Sequence, residues 1–247
     1  MDTPITENSR VADIITKYPK VRTLLEELSI DYCCGGKQSL KDACQKAGQT
    51  WQSVIEKLEE AIHQSNSETG QLKDWTKVSL TELAEHIIHT HHAYLRAQFP
   101  RMETLVNKVY NAHKINHGEM LQKLEKVLGN LRMDIEMHLA KEEQILFPLI
   151  KEMDAFSAGQ DHRPTVHCGT VKNPIRQMEF EHDTAGSLLV QMRNITGDYT
   201  LPEDACQSFR ALYDGLWELE KDLHEHIHLE NNILFPRSIQ LESELGL

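Results

Sequence analysis

The chain carries the same motif twice, as His138-Leu139-Ala140-Lys141-Glu142-Glu143-Gln144-Ile145-Leu146-Phe147-Pro148 and as His226-Ile227-His228-Leu229-Glu230-Asn231-Asn232-Ile233-Leu234-Phe235-Pro236. Both copies read His-x-x-x-Glu-x-x-Ile-Leu-Phe-Pro. Residues four apart lie on one face of an α-helix with Cβ atoms roughly 6 Å apart, so this spacing lets an imidazole and a carboxylate hold one ion or a pair of ions. The Ile-Leu-Phe that follows predicts a buried apolar end for each helix, and the proline predicts a kink or a nearby helix terminus.

The repetition decides how each copy is interpreted. A single His-x-x-x-Glu is more often an exposed pair on a helix surface. Two copies followed by the same apolar residues are not explained by surface electrostatics, because a solvated face needs no matching apolar neighbours. The motif therefore predicts a metal site between two helices, with four ligands: His138, Glu142, His226 and Glu230.

A metal site inside a helix bundle draws ligands from all of the facing helices, so the two remaining helices should each supply one. Glu179-Phe180-Glu181-His182-Asp183 offers His182, while Glu181 is one residue away and on a different face. On the first helix, four imidazoles follow one another closely: His86, His89, His91 and His92. Spacing does not choose among these four, and at least two of them are expected to be exposed.

His113 is a further candidate ligand. It lies 21 residues after His92, which is about 30 Å along a straight helix. Only a sharp break near Pro100 would bring both imidazoles to one centre. Several imidazoles combined with two carboxylates suit iron or manganese better than zinc or calcium, and two carboxylates between two groups of histidines suggest bridging.

Apolar residues recur at spacings of three and four along nearly the whole chain, which predicts an all-α fold. We expect a small helical, cysteine-bearing domain over residues 1–62, a polar linker over residues 63–77, and a four-helix bundle over residues 78–247. The segment Asp154–Asn173 is predicted to be a surface loop, because Gly159, Pro164 and Gly169 interrupt it. Its potential ligands are left outside the site: His162, His167 and Cys168.

Composition narrows the class of protein. A net charge of −12 and a pI near 5.6 argue against nucleic-acid binding, because the phosphate backbone would be repelled. The N-terminal residues carry no basic stretch leading into an apolar segment, and no apolar run approaches membrane-spanning length, which predicts a cytoplasmic protein without membrane contact. Five cysteines, an odd number that includes the adjacent Cys33 and Cys34, indicate free thiols in a reducing compartment.

The bundle motifs and the segment Asp31-Tyr32-Cys33-Cys34-Gly35-Gly36-Lys37 together support a family resemblance. The bundle resembles a haemerythrin-like domain, and the whole chain resembles the di-iron proteins that repair iron–sulfur centres. The resemblance implies two non-haem iron ions, joined by an oxygen bridge or by carboxylates, and a homodimer. It also implies six iron ligands, with the two glutamates bridging: His92, His138, Glu142, His182, His226 and Glu230.

The resemblance also implies a function in the stress response. Such a protein restores iron–sulfur clusters damaged by nitric oxide or oxidants, either by supplying iron or by handling nitric oxide. Two alternatives stay open, a nitric oxide reductase and a carrier or sensor of O2 or nitric oxide. A reductase would need an external electron donor, because the chain has no flavin or nicotinamide fingerprint, so whether the protein is an enzyme is undecided.

Cys33 and Cys34 favour repair, since a gas carrier has no evident use for a thiol domain. They precede a predicted helix that Ser39 can cap, and a helix N-terminus favours thiolate. The functional interpretation is that a flexible loop presents these thiolates to iron, nitric oxide or a partner. The alternative is that both are small buried residues at a tight turn.

Overall fold

The computed structural model describes residues 4–33, 35–65, 73–167 and 169–247. Within these ranges the regular elements are helices, joined by one isolated bridge between Arg10 and Ser39. The predicted all-α fold is therefore confirmed. The chain divides into two compact units: one comprises Met1–Val78 with Ile227–Arg237, and the other comprises Ser79–His226 with Ser238–Leu247. No helix of the described chain is both long enough and apolar enough to cross a lipid bilayer.

The first unit begins with short helices. They are α1 (Val11–Lys17), a 3-10 turn (Pro19–Val21), α2 (Arg22–Glu27), α3 (Leu40–Lys46) and α4 (Trp51–Ser65). Ser39 caps α3, because its Oγ accepts a hydrogen bond from the Asp42 backbone N–H at 3.1 Å. Within the linker predicted over residues 63–77, residues 66–72 lie outside the described chain.

The core of this unit joins the short helices to Ile227–Arg237. Leu25, Leu40 and Leu58 are fully buried and belong to one apolar cluster with Ile227. Asn232 donates to the carbonyl of Tyr32 at 3.3 Å, and the Tyr32 ring meets the His228 ring edge-on at 5.8 Å. The loop that follows Tyr32 is thus held against one turn of the last long helical segment.

From Ser79 onward the chain forms longer helices interrupted by π-helical turns, and of these only Ile227–Arg237 belongs to the first unit. In order they are α5 (Leu80–Ile87), a π turn (Ile88–His92), α6 (Ala93–Lys141), a π turn (Glu142–Leu146), α7 (Phe147–Ser157), α8 (Lys172–Thr196), α9 (Gln207–Leu229), a π turn (Glu230–Leu234) and α10 (Phe235–Leu245). One buried apolar cluster unites α6, α8 and α9. Apolar side chains at helical spacing produce this cluster.

The helical segment α6 comprises 49 residues, and it reverses direction within that length. Arg132 forms an ion pair with Glu103 across 29 positions of sequence, which would span roughly 44 Å in a straight helix. Gln122 also donates to the hydroxyl of Tyr110 at 2.9 Å. The reversal therefore lies between Tyr110 and Gln122, and not at Pro100, which stays inside the helix.

The loop before α8 is fastened to α10. The backbone N–H of Val171 and the hydroxyl of Thr170 each donate to the Glu242 carboxylate at 2.6 Å. Arg163 donates to the carbonyl of Gly246 at 2.9 Å. These bonds fix the start of α8, which is the helix that carries His182.

Candidate metal centre

Four buried imidazoles meet in the second unit, one each from the π turn before α6, the end of α6, α8 and α9. They are His92, His138, His182 and His226, each no more than 1% exposed. The Nε2 atoms of His92 and His226 lie 3.2 Å apart, and those of His138 and His182 lie 3.0 Å apart. Two pairs of ring nitrogens therefore face one another at separations typical of ligands on a shared ion.

Glu142 lies between the two histidine pairs. Its Oε2 is 3.4 Å from Nε2 of His92 and 3.4 Å from Nε2 of His138. Glu230 follows His226 by one helical turn, and both glutamates are 0% exposed. The donor atoms form two overlapping groups, each within 4.8 Å: His92, His226, Glu142 and Glu230, and His138, His182, Glu142 and Glu230. Both glutamates belong to both groups.

The chemistry of this donor set fits metal ions. Carboxylates are rarely buried completely unless a positive charge compensates them, because removal from water is costly. Imidazole nitrogens and carboxylate oxygens are ligands that suit iron and similar transition metals. The buried His/Glu groups can therefore hold metal, and the neighbourhood supplies the orientation that ligands need.

His92 is oriented by Glu143. The Nδ1 of His92 lies 2.7 Å from the Glu143 carboxylate, which also accepts a hydrogen bond from Arg96 at 2.8 Å. Burial would raise the pKa of Glu143, but the hydrogen bonds from Arg96 and His92 outweigh it and hold that pKa below its usual range. An ionised carboxylate at Nδ1 directs Nε2 of His92 toward the centre and increases its basicity.

His138 is oriented in the same way by Glu181. Its Nδ1 lies 3.0 Å from the Glu181 carboxylate, which Lys141 and Gln177 also contact. The hydrogen bond with His138 lowers the pKa of Glu181 to about 2, with a further contribution from Lys141. Glu181 thus supports a ligand from the adjacent helix, a role that the sequence analysis did not assign to it.

The histidines of the first helix divide into buried and accessible ones. His92 joins the donor groups, whereas His89 is 77% exposed and pairs with Glu85 at 3.1 Å, and His86 is partly exposed. His91 is buried and lies 2.9 Å from the Asp222 carboxylate, with its ring stacked on that of His226 at 5.8 Å. The sequence reasoning missed this His91–Asp222 pair, because nothing local links the two residues.

Each of the three π turns in the described part of the chain contains a proposed ligand. Glu142 and Glu230 are the first residues of their π turns, and His92 is the last residue of the earliest one. Single π turns inside α-helices occur frequently at functional sites. The expected burial of both Ile-Leu-Phe segments is wrong at one position, since Ile145 is 59% exposed while Ile233 is 5% exposed. Leu146 and Phe147 are buried as predicted.

The cysteine segment is described only in part, since Cys34 lies outside the described residues. Cys33 is 4% exposed, and its thiol and backbone N–H both donate to Oδ1 of Asp31, at 3.3 and 3.0 Å. This position differs from the exposed thiolate loop that the functional interpretation expects.

The other candidate ligands lie away from the donor groups. His162 and His167 are exposed and belong to no metal group found in the described chain, and Cys168 lies outside it. His113 joins a separate group with His117 and Asp204.

Comparison with known families identifies both parts of the chain. Residues 83–238 match the hemerythrin HHE cation binding domain. Residues 7–62 match a domain of unknown function, DUF542. The first match contains all of the proposed ligands, and the second contains the cysteine pair.

Curated proteins resemble the chain over nearly its whole length. The iron-sulfur cluster repair protein YtfE of Dickeya chrysanthemi is 37% identical over 94% of this chain and 97% of its own. A probable iron-sulfur cluster repair protein of Haemophilus influenzae is 37% identical over 92% of this chain and 95% of its own. YtfE of Enterobacter sp. strain 638 is 36% identical over 93% and 96%.

Proposed function

The chain belongs to the family of iron–sulfur cluster repair proteins with a hemerythrin HHE domain, and from this premise we propose that it repairs damaged clusters through a di-iron centre. One observation supports the centre above others: two groups of buried donors share both Glu142 and Glu230. Each ion would have two imidazoles of its own and two carboxylates in common. The two glutamates are accordingly proposed as bridges.

The chain's own residues prepare this centre in two ways. Glu143 and Glu181 hold the outer nitrogens of His92 and His138, so that Nε2 of each ring is available as a ligand. Burial of all the proposed ligands keeps bulk water away from them. When bound, the iron could be donated to a damaged cluster or could bind nitric oxide. Carboxylate bridges can shift or take up a proton, so these ligands would release iron more readily than thiolates.

The proposal includes partners and a compartment. Its targets are proteins with damaged iron–sulfur clusters, in the reducing cytoplasm, and the active form is a homodimer. Cys33 and Cys34 are proposed to assist the transfer. Nitric oxide reduction and reversible binding of O2 or nitric oxide remain alternative functions for the same centre.

The first experiment measures iron and its electronic coupling. Mössbauer spectra of anaerobically purified, iron-57-labelled protein are expected to show two coupled irons per chain. The Glu142→Leu, Glu230→Leu double variant should lose them, because it removes both shared ligands, while the exposed Glu125→Leu should keep them. One zinc per chain, or no metal in the wild type, would contradict the di-iron centre.

The second experiment tests repair. Iron-loaded protein is incubated with a target enzyme whose cluster has been nitrosylated, and recovered activity is compared with that given by free ferrous ion at equal concentration. The protein should restore more activity than the free ion, and the double glutamate variant should restore none. If free iron succeeds where the protein fails, repair by iron donation is wrong. Anaerobic formation of nitrous oxide by the reduced protein would then favour the reductase.

A further inference from the structure

A second cluster of side chains that could hold a metal ion lies where α6 reverses direction. His117 Nε2 is 2.7 Å from Oδ1 of Asp204, and His113 Nδ1 is 3.9 Å from Oδ2 of the same carboxylate. The three donor atoms lie within 4.8 Å of one another. His113 and His117 are four residues apart in a helix, so both rings project from the same face. Asp204 approaches them from the connection that precedes α9.

Neighbouring residues hold this arrangement in place. Asn116 donates to Oδ2 of Asp204 at 3.1 Å. Phe209, which is fully buried, meets the His113 ring edge-on at 5.2 Å and the His117 ring at 5.7 Å. Because a rigid aromatic side chain supports both imidazoles, their relative position does not depend on the ion. A preformed site loses less entropy on binding than one assembled from mobile side chains.

The cluster is remote from the buried centre. Asp204 lies just before α9, a helix of 23 residues, whereas His226 lies in the last turn of α9. A helix of that length spans roughly 34 Å. The two sets of ligands therefore cannot share an ion, and the second set needs its own explanation.

The chemistry of the cluster is that of a mononuclear cation site. Two histidines and one carboxylate bind divalent iron or zinc, with further coordination positions left to water. His113 is 12% exposed, His117 23% and Asp204 44%, so water and ions reach the donors directly. Partial exposure and three protein ligands are features of a site whose ion exchanges directly with solvent, whereas the donors of the His/Glu groups are fully buried.

We propose that His113, His117 and Asp204 form a second site that binds one exchangeable divalent transition-metal ion, Fe2+ or Zn2+. The exposed thiol of Cys206 lies next to this site. The Cys206 thiol forms a hydrogen bond with the His113 ring. As a fourth ligand, this sulfur would shift the preference toward zinc.

The test is a calorimetric titration of Zn2+ into full-length protein whose buried centre is already loaded with iron. The wild type should bind one further equivalent per chain. The His113→Gln, His117→Gln variant should bind it more weakly by over about 10-fold, since losing even a hydrogen-bond partner of a ligand costs roughly 10- to 100-fold in affinity. The exposed His63→Gln serves as a matched control and should bind like the wild type.

Two further measurements keep the outcome decisive. Iron content after each titration shows whether the buried centre stayed intact, and Asp204→Asn provides a variant that retains both histidines. Co2+ in place of Zn2+ should give visible absorption bands that Asp204→Asn weakens. No further equivalent in the wild type, or undiminished binding in both variants, would overturn the proposal and leave a hydrogen-bonded cluster that joins the α6 reversal to α9. Because Zn2+ is counted separately from iron, this result is independent of the proposed repair activity.

Discussion

Glu181 orients the proposed ligand His138 but belongs to neither group of donor atoms. Replacing Glu181 by Gln removes the charge that orients His138, and we expect metal affinity to fall by roughly 10- to 100-fold. The measurement is the rate of iron loss to a chelator, monitored by iron content. The exposed Glu125→Gln is the control for loss of a surface charge. Equal rates of iron loss for both variants and the wild type would show that Glu181 does not support the centre.

Tyr213 shows how burial makes stability depend on alkaline pH. Burial raises the pKa of Tyr213 to about 12, from a usual value near 10. Because the folded-state pKa is raised, its contribution to stability is complete below about pH 10 and is lost as pH rises toward 12. The loss should reach roughly 2 kcal/mol at the upper end.

The corresponding variant is Tyr213→Phe, which keeps the ring in the core. Urea unfolding monitored by circular dichroism should show a smaller decrease in the free energy of unfolding between pH 10 and 12 than in the wild type. The exposed Phe180→Leu, which removes no titrating group, should behave like the wild type. The same pH dependence in all three proteins would show that Tyr213 does not cause the loss of stability between pH 10 and 12.

At the scale of the secondary-structure element, the loop after Tyr32 depends on a glycine. A Cβ added at Gly36 would lie 2.5 Å from the Tyr32 carbonyl oxygen and 3.0 Å from the Ala12 Cβ. Gly129, inside α6, has no such neighbour within 4 Å. Replacement by alanine should therefore have opposite effects on stability at these two glycines.

Gly36→Ala should lower the free energy of unfolding by roughly 1 to 3 kcal/mol, because the backbone must move to relieve overpacking. Gly129→Ala should raise the free energy of unfolding by about 0.5 to 1 kcal/mol. Residue 129 is in a helix interior, and alanine there loses less backbone entropy on folding than glycine does, because its unfolded state is more restricted. Urea unfolding of each variant gives both values. A stabilising Gly36→Ala would mean that the loop is not packed as described.

The π turns explain how a proline is accommodated near the start of both α7 and α10. Pro148 and Pro236 each lie in the first helical turn after a π turn. Proline donates no backbone hydrogen bond and its ring displaces the carbonyl four residues earlier, so regular α-helical bonding is already interrupted there. Because the two motif copies have identical spacing, the same irregularity follows each His-x-x-x-Glu.

For the whole molecule, removal of metal should reduce stability. A ligand that binds only the folded state adds about 3 kcal/mol when its free concentration is 100 times its dissociation constant. Chelation of wild-type protein should therefore lower the midpoint of thermal unfolding. The Glu142→Leu, Glu230→Leu variant should respond less, because it lacks both ligands that the two donor groups share. An equal shift in both proteins would indicate that chelation acts elsewhere.

The sequence alone determined the helical class and the central pair of His-x-x-x-Glu motifs. Both depend on local periodicity, which places residues three and four apart on one helix face whatever the rest of the chain does. The family resemblance selected His92 among the four imidazoles of the first helix, a choice that spacing left open. Domain limits and ligand assignments stay predictions, although the proposed ligands lie together in the fold.

Other features were decided by tertiary structure. The reversal of α6, the pairing of His91 with Asp222, and the support of His138 by Glu181 join residues distant in sequence. The same holds for His113, which the reversal brings to Asp204 and not to His92. Such contacts depend on how whole helices pack against one another. Sequence spacing describes one helix at a time, so it predicts which residues share a face but not which residue from another helix will meet them.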